Sequence, residues 1–230
     1  MTTLEPLAPD LWVASRPLPI AVGDVGCRMT VVRLADGGLW LHSPVAIDAA
    51  LRDAVAALGP VRFLVAPNKV HSLFFEAAAA AWPDALRFGA PGLAEKRPQL
   101  AFHATLGDDA PPEWRGQIDQ RVVRGAPVMN EVAFLHRASR TLVLTDLAFN
   151  VPAGRTSGAR LFYWLVGAAG RFGPHRVVRL GMRDRRAVRR SVDAILAWDF
   201  DRVVVSHGEV LASGGRAAMA RAFAFLPPAA

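Results

Sequence analysis

The chain is short of several things on which proteins of its size often rely. One cysteine, Cys27, among 230 residues excludes a disulfide framework and every zinc pattern built on several cysteines. Only Lys69 and Lys96 are lysine, so 25 of the 27 basic residues are arginine. No apolar run approaches the roughly 20 residues that a membrane span requires; the most apolar late stretch, Leu161 to Ala169, is about half as long. The segment Met1–Asp10 carries two acids and no basic residue, unlike the charged start of a signal peptide, and the expected location is the cytosol. Gly-x-Ser-x-Gly, a Walker loop and Gly-x-Gly-x-x-Gly are also missing. Their absence argues against a serine nucleophile elbow and against the common phosphate- and dinucleotide-binding loops.

What is present suits a folded chain. At 52% hydrophobic and 20% charged residues it is too apolar for a disordered protein, and its length fits a single domain over residues 1–230. The net charge is +7, but an arginine excess beside abundant Ala, Gly and Pro reads as a coding preference. Charge alone speaks to non-specific binding, so no specific nucleic-acid partner is expected.

Short β-branched runs alternate with longer helical patterns. Thr30–Leu34 and Leu39–His42 read as strands joined by a turn at Asp36-Gly37-Gly38, a hairpin signal. Ala46–Leu58 reads as a helix stopped by Gly59-Pro60, Arg62–Ala66 as a strand and Leu73–Trp82 as a helix. Leu86–Phe88, Phe102–Ala104, Ile118–Val123, Glu131–Arg137 and Thr141–Thr145 read as strands. Ser157–Gly170, Arg185–Trp198 and Gly215–Leu226 read as helices, with a strand at Arg202–Ser206. Hairpins early and βαβ-like units later predict an α/β protein with helices packed outside sheets.

The informative pattern lies where strands end. Leu39-Trp40-Leu41 runs into His42, Phe63–Ala66 into Pro67-Asn68-Lys69-Val70-His71, Leu142–Thr145 into Asp146, and Val203–Ser206 into His207. Side chains at the carboxyl ends of strands can share one rim. Imidazoles and a carboxylate there are ligands for one divalent metal, zinc, manganese or iron. His71, Asp146 and His207 are the candidate set, with His42 a fourth. The bland alternative is a degenerate site whose members only hydrogen-bond one another. Asn68 or Asn130 is a candidate donor to a developing oxyanion, with Asp146 orienting the attacking water. Lys69 reads as a solvated lysine, with an anionic small-molecule substrate or ligand as the alternative it would serve, and Glu209 reads as an ordinary polar loop residue. His103, His136 and His175 fall off the rim, with His136 at the surface, and Cys27 reads as a small buried group.

The order of elements resembles the metallo-β-lactamase fold superfamily, a four-layer αββα sandwich with metals at one edge. The segment from Glu131 to Phe149 is similar to the strand-turn-strand that delivers that fold's bridging aspartate, and Val205-Ser206-His207-Gly208 to the segment carrying its last histidine. The resemblance implies a metal-dependent hydrolase with Asp146 and His207 as ligands. The classical His-x-His-x-Asp-His is replaced by Pro67-Asn68-Lys69-Val70-His71-Ser72. Pro127, Val128 and Met129 stand where another histidine is expected, and His42 where the fold carries an early acid. Pro-Asn-x-x-His and Asn-Glu-Val-x-Phe-x-His are similar to a bacterial and plant branch of unknown function. The implied site is therefore reduced and mononuclear. The alternative is a non-catalytic binding protein on the same fold.

Eight arginines fall between Arg171 and Arg190, just after the apolar, aromatic stretch Leu161–Val166. Aromatic residues beside cations suit a membrane surface or an anionic partner. The reading taken here is a helix whose apolar side packs on the sheet while the arginines face water.

Overall fold

Alternate residues of a strand point to opposite faces of a sheet, and several strands here are buried on both. The computed structural model describes residues 4–152 and 159–229; Met1–Thr3 and the expected helix start at Ser157 lie outside them. In the first sheet are β1 (Glu5–Ala8), β2 (Leu11–Arg16), β5 (Cys27–Arg33), β6 (Leu39–His42), β7 (Val61–Ala66), β8 (Leu86–Gly89) and β9 (Ala104–Thr105), in that spatial order. Pairing is antiparallel from β1 to β6 and parallel from β6 to β9. Between β2 and β5 the chain forms a small hairpin, β3 (Pro19–Ile20) and β4 (Gly23–Asp24).

The second sheet is β10 (Ile118–Val122), β11 (Val132–His136), β12 (Thr141–Val143) and β15 (Arg202–Val204), with β12 and β15 parallel. Beside it lies a ribbon of β13 (Phe149–Val151) and β14 (Arg171–Gly173). Helices α1 (Ala49–Ala56), α2 (Phe75–Ala81) and α3 (Leu93–Lys96) follow the first-sheet strands. The helices α4 (Ala159–Leu165), α5 (Arg176–Gly181), α6 (Arg185–Leu196) and α7 (Gly215–Ala222) belong to the last third.

Three cores make these elements four layers. Trp40, Phe63, Val65, Trp114, Val132, Phe134 and Val143 pack between the sheets. Leu39, Leu41 and Leu64, the opposite parity of the same strands, pack with Leu51, Val55 and Phe75 of α1 and α2. On the second sheet, Ala133, Leu135 and Leu142 meet Val188, Val192 and Ile195 of α6, Met219 of α7 and Phe223 just after it. The order is helices, sheet, sheet, helices, the αββα sandwich that the resemblance implies.

Helix α6 shows the expected local logic. Asp184 caps it by accepting from the Ala187 N–H at 2.9 Å. Val188, Val192 and Ile195 form its buried stripe, while Arg185, Arg186 and Arg190 are exposed. Helix α4 departs from that pattern. Tyr163 is buried, but Leu161, Trp164 and Leu165 are 62%, 68% and 53% exposed, so only one side of the apolar stretch packs on the sheet. His136, expected at the surface, is buried, with Nδ1 2.7 Å from Ser139 Oγ. The strands β1, β2, β13 and β14 and the helix α5 had no counterpart in the sequence reading. No helix among the described residues is long and apolar enough to cross a membrane.

Candidate metal centre

Three of the four strand-end ligand candidates meet. His71 lies in the loop after β7, Asp146 three residues after β12, and His207 three residues after β15. His71 Nε2 is 3.2 Å from His207 Nε2 and 3.3 Å from Asp146 Oδ2. His207 Nε2 is 3.4 Å from Asp146 Oδ1. One ligand atom from each residue fits within a 4.8 Å cluster.

The outer ring nitrogens of both histidines are engaged. His207 Nδ1 donates to the Gly26 carbonyl at 2.7 Å; a carbonyl only accepts, so the neutral ring carries its proton there and leaves Nε2 bare. His71 Nδ1 is 2.9 Å from Ser43 Oγ, and Ser43 holds the left-handed conformation, φ 54°. Phe149 stacks on the His207 ring, 5.2 Å between centroids at an interplanar angle of 8°. Orientation of a metal-binding imidazole by a partner on its other nitrogen is the usual support of such ligands.

Asn68 organises the loop and the carboxylate together. Its Oδ1 accepts from the backbone N–H groups of Val70 at 2.7 Å and His71 at 2.6 Å. Its amide donates to Thr145 Oγ1 and Asp146 Oδ2, both at 2.8 Å. With its hydrogens so committed, Asn68 is not free to donate to a substrate; it holds Asp146. Asn130 is not part of the cluster, since its amide donates to the Pro91 carbonyl at 3.0 Å. Lys69 Nζ donates to the Pro127 carbonyl at 3.3 Å. Glu209 is exposed, as expected of a loop residue.

Glu131 received no role in the sequence reading, yet it anchors the site. It is fully buried, and its carboxylate accepts from the backbone N–H groups of Thr145 (2.8 Å), Asp146 (2.7 Å) and Leu147 (2.9 Å). Burial, followed by the charge of Asp146, raises its pKa against those donors. Asp146 is pulled the other way. Burial favours its neutral form, but His71 and His207 outweigh that and hold it well below the usual carboxylate range. Burial also works against a charged His71, and the nearby Asp146 carboxylate overcomes it and raises the imidazole.

The fourth candidate, His42, stands apart from the three. It ends β6 with the parity of Trp40, so its ring enters the layer between the sheets. There it stacks on Trp40 at 5.4 Å and meets the edge of Phe134. Neither ring nitrogen has a hydrogen-bond partner. Burial, then the nearness of His71, pushes its pKa down to about 3. His175, expected off the rim, caps α5 and packs on Phe149 at 4.4 Å, one ring away from His207.

Gly208 fixes where His207 points. Its φ is +99°, and an added Cβ would lie 2.1 Å from the Asn150 carbonyl oxygen. Gly208→Ala is expected to cost about 2–4 kcal/mol, from backbone strain plus displacement of the strand-end loop. Urea denaturation monitored by circular dichroism measures it.

Comparison with known proteins places the fold. A family model described as a domain of unknown function, DUF4336, matches residues 10–161. No curated protein matches the chain. Among solved structures, a metallo-β-lactamase from Erythrobacter litoralis superposes with a TM-score of 0.68 at 14% identity, covering 97% of this chain and 95% of that one. One from Pontibacter korlensis gives 0.66 at 13% identity, with 98% and 100% covered. The FIM-1 enzyme of Pseudomonas aeruginosa, in a mono-zinc form, gives 0.62 at 13% identity, with 97% and 95% covered. At such identities the likeness is one of fold.

Proposed function

Because this chain belongs to the DUF4336 family and has the metallo-β-lactamase fold, we propose that it is a single-domain, metal-dependent hydrolase of a small-molecule substrate. The site we assign to it holds one metal ion, on His71, Asp146 and His207. The observation that carries this reading is the convergence of the donor atoms. The two Nε2 atoms stand 3.2 Å apart, and each faces its own oxygen of the Asp146 carboxylate, His71 on Oδ2 at 3.3 Å and His207 on Oδ1 at 3.4 Å; ligands on a tetrahedral zinc with bonds of about 2.0–2.1 Å stand about 3.3–3.4 Å apart. Two histidines and a carboxylate leave a coordination position open. A structure of FIM-1, a metallo-β-lactamase on this fold, is described as a mono-zinc form, which is in keeping with a site for one ion.

A divalent metal there would supply Lewis-acid polarisation and activation of water at neutral pH. The protein's part is preorganisation. The Gly26 carbonyl and Phe149 aim His207, Ser43 orients His71, and Asn68 fixes the Asp146 carboxylate beside them. Asp146 stays ionised across the physiological range and so can accept a hydrogen bond from the attacking water. Zinc, manganese and iron all accept this donor set.

A second reading has its own support, because the same three groups also lie at hydrogen-bonding distance from one another. In that case the rim binds a ligand without chemistry. Elemental mass spectrometry on the untagged protein separates the two. The expected result is about one metal ion per chain and none in folded Asp146→Ala or His207→Ala protein. A metal-free wild type after incubation with zinc, manganese and iron would overturn the hydrolase reading in favour of the binding protein.

A further inference from the structure

The exposed face of α4 is part of a larger surface. Leu161, Trp164 and Leu165 follow helical spacing and turn outward while Tyr163 and Val166 are buried. Against them lies the β3–β4 hairpin; Ala21, Val22, Leu161, Phe162 and Leu165 line one open cavity of about 400 Å³. Ile20 and Val22 at the hairpin tip are 45% and 38% exposed. Helix α5 adjoins the end of α4, with Arg176 Nη1 donating to the Leu165 carbonyl and the Arg176 N–H to that of Val166. It adds Val177 and Leu180, 58% and 78% exposed. Large apolar residues that cluster on a surface, rather than scatter, mark a binding face.

The charge around this face is mostly positive. Residues 161–183 contain Arg171, Arg176, Arg179 and Arg183 and no Asp or Glu, while the hairpin adds one acid, Asp24, whose carboxylate accepts from the backbone N–H groups of Leu18 and Gly26. Next to α5, Arg171, Arg179 and Arg221 line a cavity of about 420 Å³ with no acidic residue in its wall. Arg179 lies over the Phe225 ring at 3.7 Å. None of these three arginines makes an ion pair or a side-chain hydrogen bond among the described residues. Each guanidinium has five N–H donors suited to phosphate oxygens.

We infer that this face, formed by the hairpin tip, α4 and α5, docks the protein on an anionic lipid surface. Trp164 and the leucines enter the headgroup boundary, and Arg171 and Arg179 engage lipid phosphates. An outward tryptophan with leucines on one side of a short helix, flanked by arginines, is what interfacial binding uses. A second copy of the chain fits less well, because a two-fold contact would bring the two arginine groups together. The inference does not depend on a metal.

The test is sedimentation of the full-length protein with phosphatidylcholine vesicles, with and without phosphatidylglycerol. Pelleting is expected only with the anionic vesicles at low salt, and it should fall at least about tenfold near 1 M salt, where the Debye length is about 3 Å. Trp164→Glu combined with Leu165→Glu should abolish it. Arg171→Ala with Arg179→Ala should weaken it about twentyfold, near fivefold for each charge. All these residues are solvent-exposed or half-buried, so unchanged circular dichroism establishes folding. No pelleting at low salt, or pelleting that the variants leave intact, overturns the inference. So does full competition by inorganic phosphate, which would make the arginine cavity a site for a free anion. A dimer on size exclusion that Trp164→Glu/Leu165→Glu dissociates would assign the face to a second copy.

Discussion

Glu131→Ala is expected to destabilise the protein by about 3–5 kcal/mol and to abolish metal uptake in whatever fraction still folds. The carboxylate is the acceptor for three consecutive buried backbone N–H groups, those of Thr145, Asp146 and Leu147. An alanine leaves all three without a partner, and each orphaned buried donor costs about 1–3 kcal/mol before relaxation. Water entering the cavity recovers part of that, which keeps the total below the simple sum. Glu131→Gln tests the cause. It keeps the volume but turns an amide NH₂ toward at least one backbone N–H, so about half the loss should remain. Denaturant unfolding at neutral pH reads both variants. A loss under about 1 kcal/mol for the alanine variant would mean that the turn at Asp146 holds its shape without the carboxylate.

His42→Phe should act in the opposite direction. The imidazole is 1% exposed, sits between Trp40 and Phe134, and has neither nitrogen satisfied. A phenyl ring of similar shape removes two unpaired polar atoms from the core, worth about 1–3 kcal/mol of stability at pH 7. The gain should widen in acid. The folded-state pKa is about 3 against 6.5 for the free side chain. Between those values the unfolded chain binds the extra proton, so stability falls as pH drops, by at most about 1.4 kcal/mol per pH unit.

Other groups leave that window readable. In metal-free protein, the imidazole of His71, raised by Asp146, contributes stability that is complete below 6.5 and is lost only as pH rises through its folded value. Asp146, held low, contributes stability that is lost only below the ordinary carboxylate range. Burial lowers His136 and His175, which adds the same slope to both proteins and cancels in the difference. Urea titrations of wild type and His42→Phe between pH 7 and about 4.5 should therefore diverge. Metal content should be unchanged in the variant; its loss would return His42 to the site.

The clustering of His71, Asp146 and His207 was legible because side chains at strand ends need only the strands to be located. Three runs of apolar residues ending in His71, Asp146 and His207 were enough to name the cluster. His42 carried the same signal and was misplaced for a reason of parity. All four residues of β6 are buried, so alternation of polarity does not reveal which of its faces meets helices and which meets the other sheet. Glu131 was passed over because a single acid before Val132 reads as the polar edge of a strand. Its meaning depends on a turn fourteen to sixteen residues later folding back onto it.

Asn68 looked like a donor to substrate because sequence does not show that its hydrogens are already spent. The helix α4 was legible, but its packing was misjudged. Six consecutive apolar residues, Leu161–Val166, reach around the whole circumference of a helix, so one packed side must leave others facing outward. The hairpin β3–β4 was not read, being two residues in each strand.

The contacts of Asn68 also decide how this molecule can breathe. The loop after β7 in the first sheet is joined to the turn after β12 in the second by those hydrogen bonds, by Val132 N–H to the Pro67 carbonyl and by Lys69 N–H to the Met129 carbonyl. Separating the sheets at this edge would break every one of them together, so opening there costs more than loosening either loop alone. On the other side of the cluster, His207 meets the Gly26 carbonyl, just after the β3–β4 hairpin, and the ring of Phe149 in β13, while Tyr163 of α4 donates its hydroxyl to the Val25 carbonyl next to Gly26. Asp146 and the His71 loop are thus set by one seam shared between the two sheets, and His207 by a separate border of the molecule.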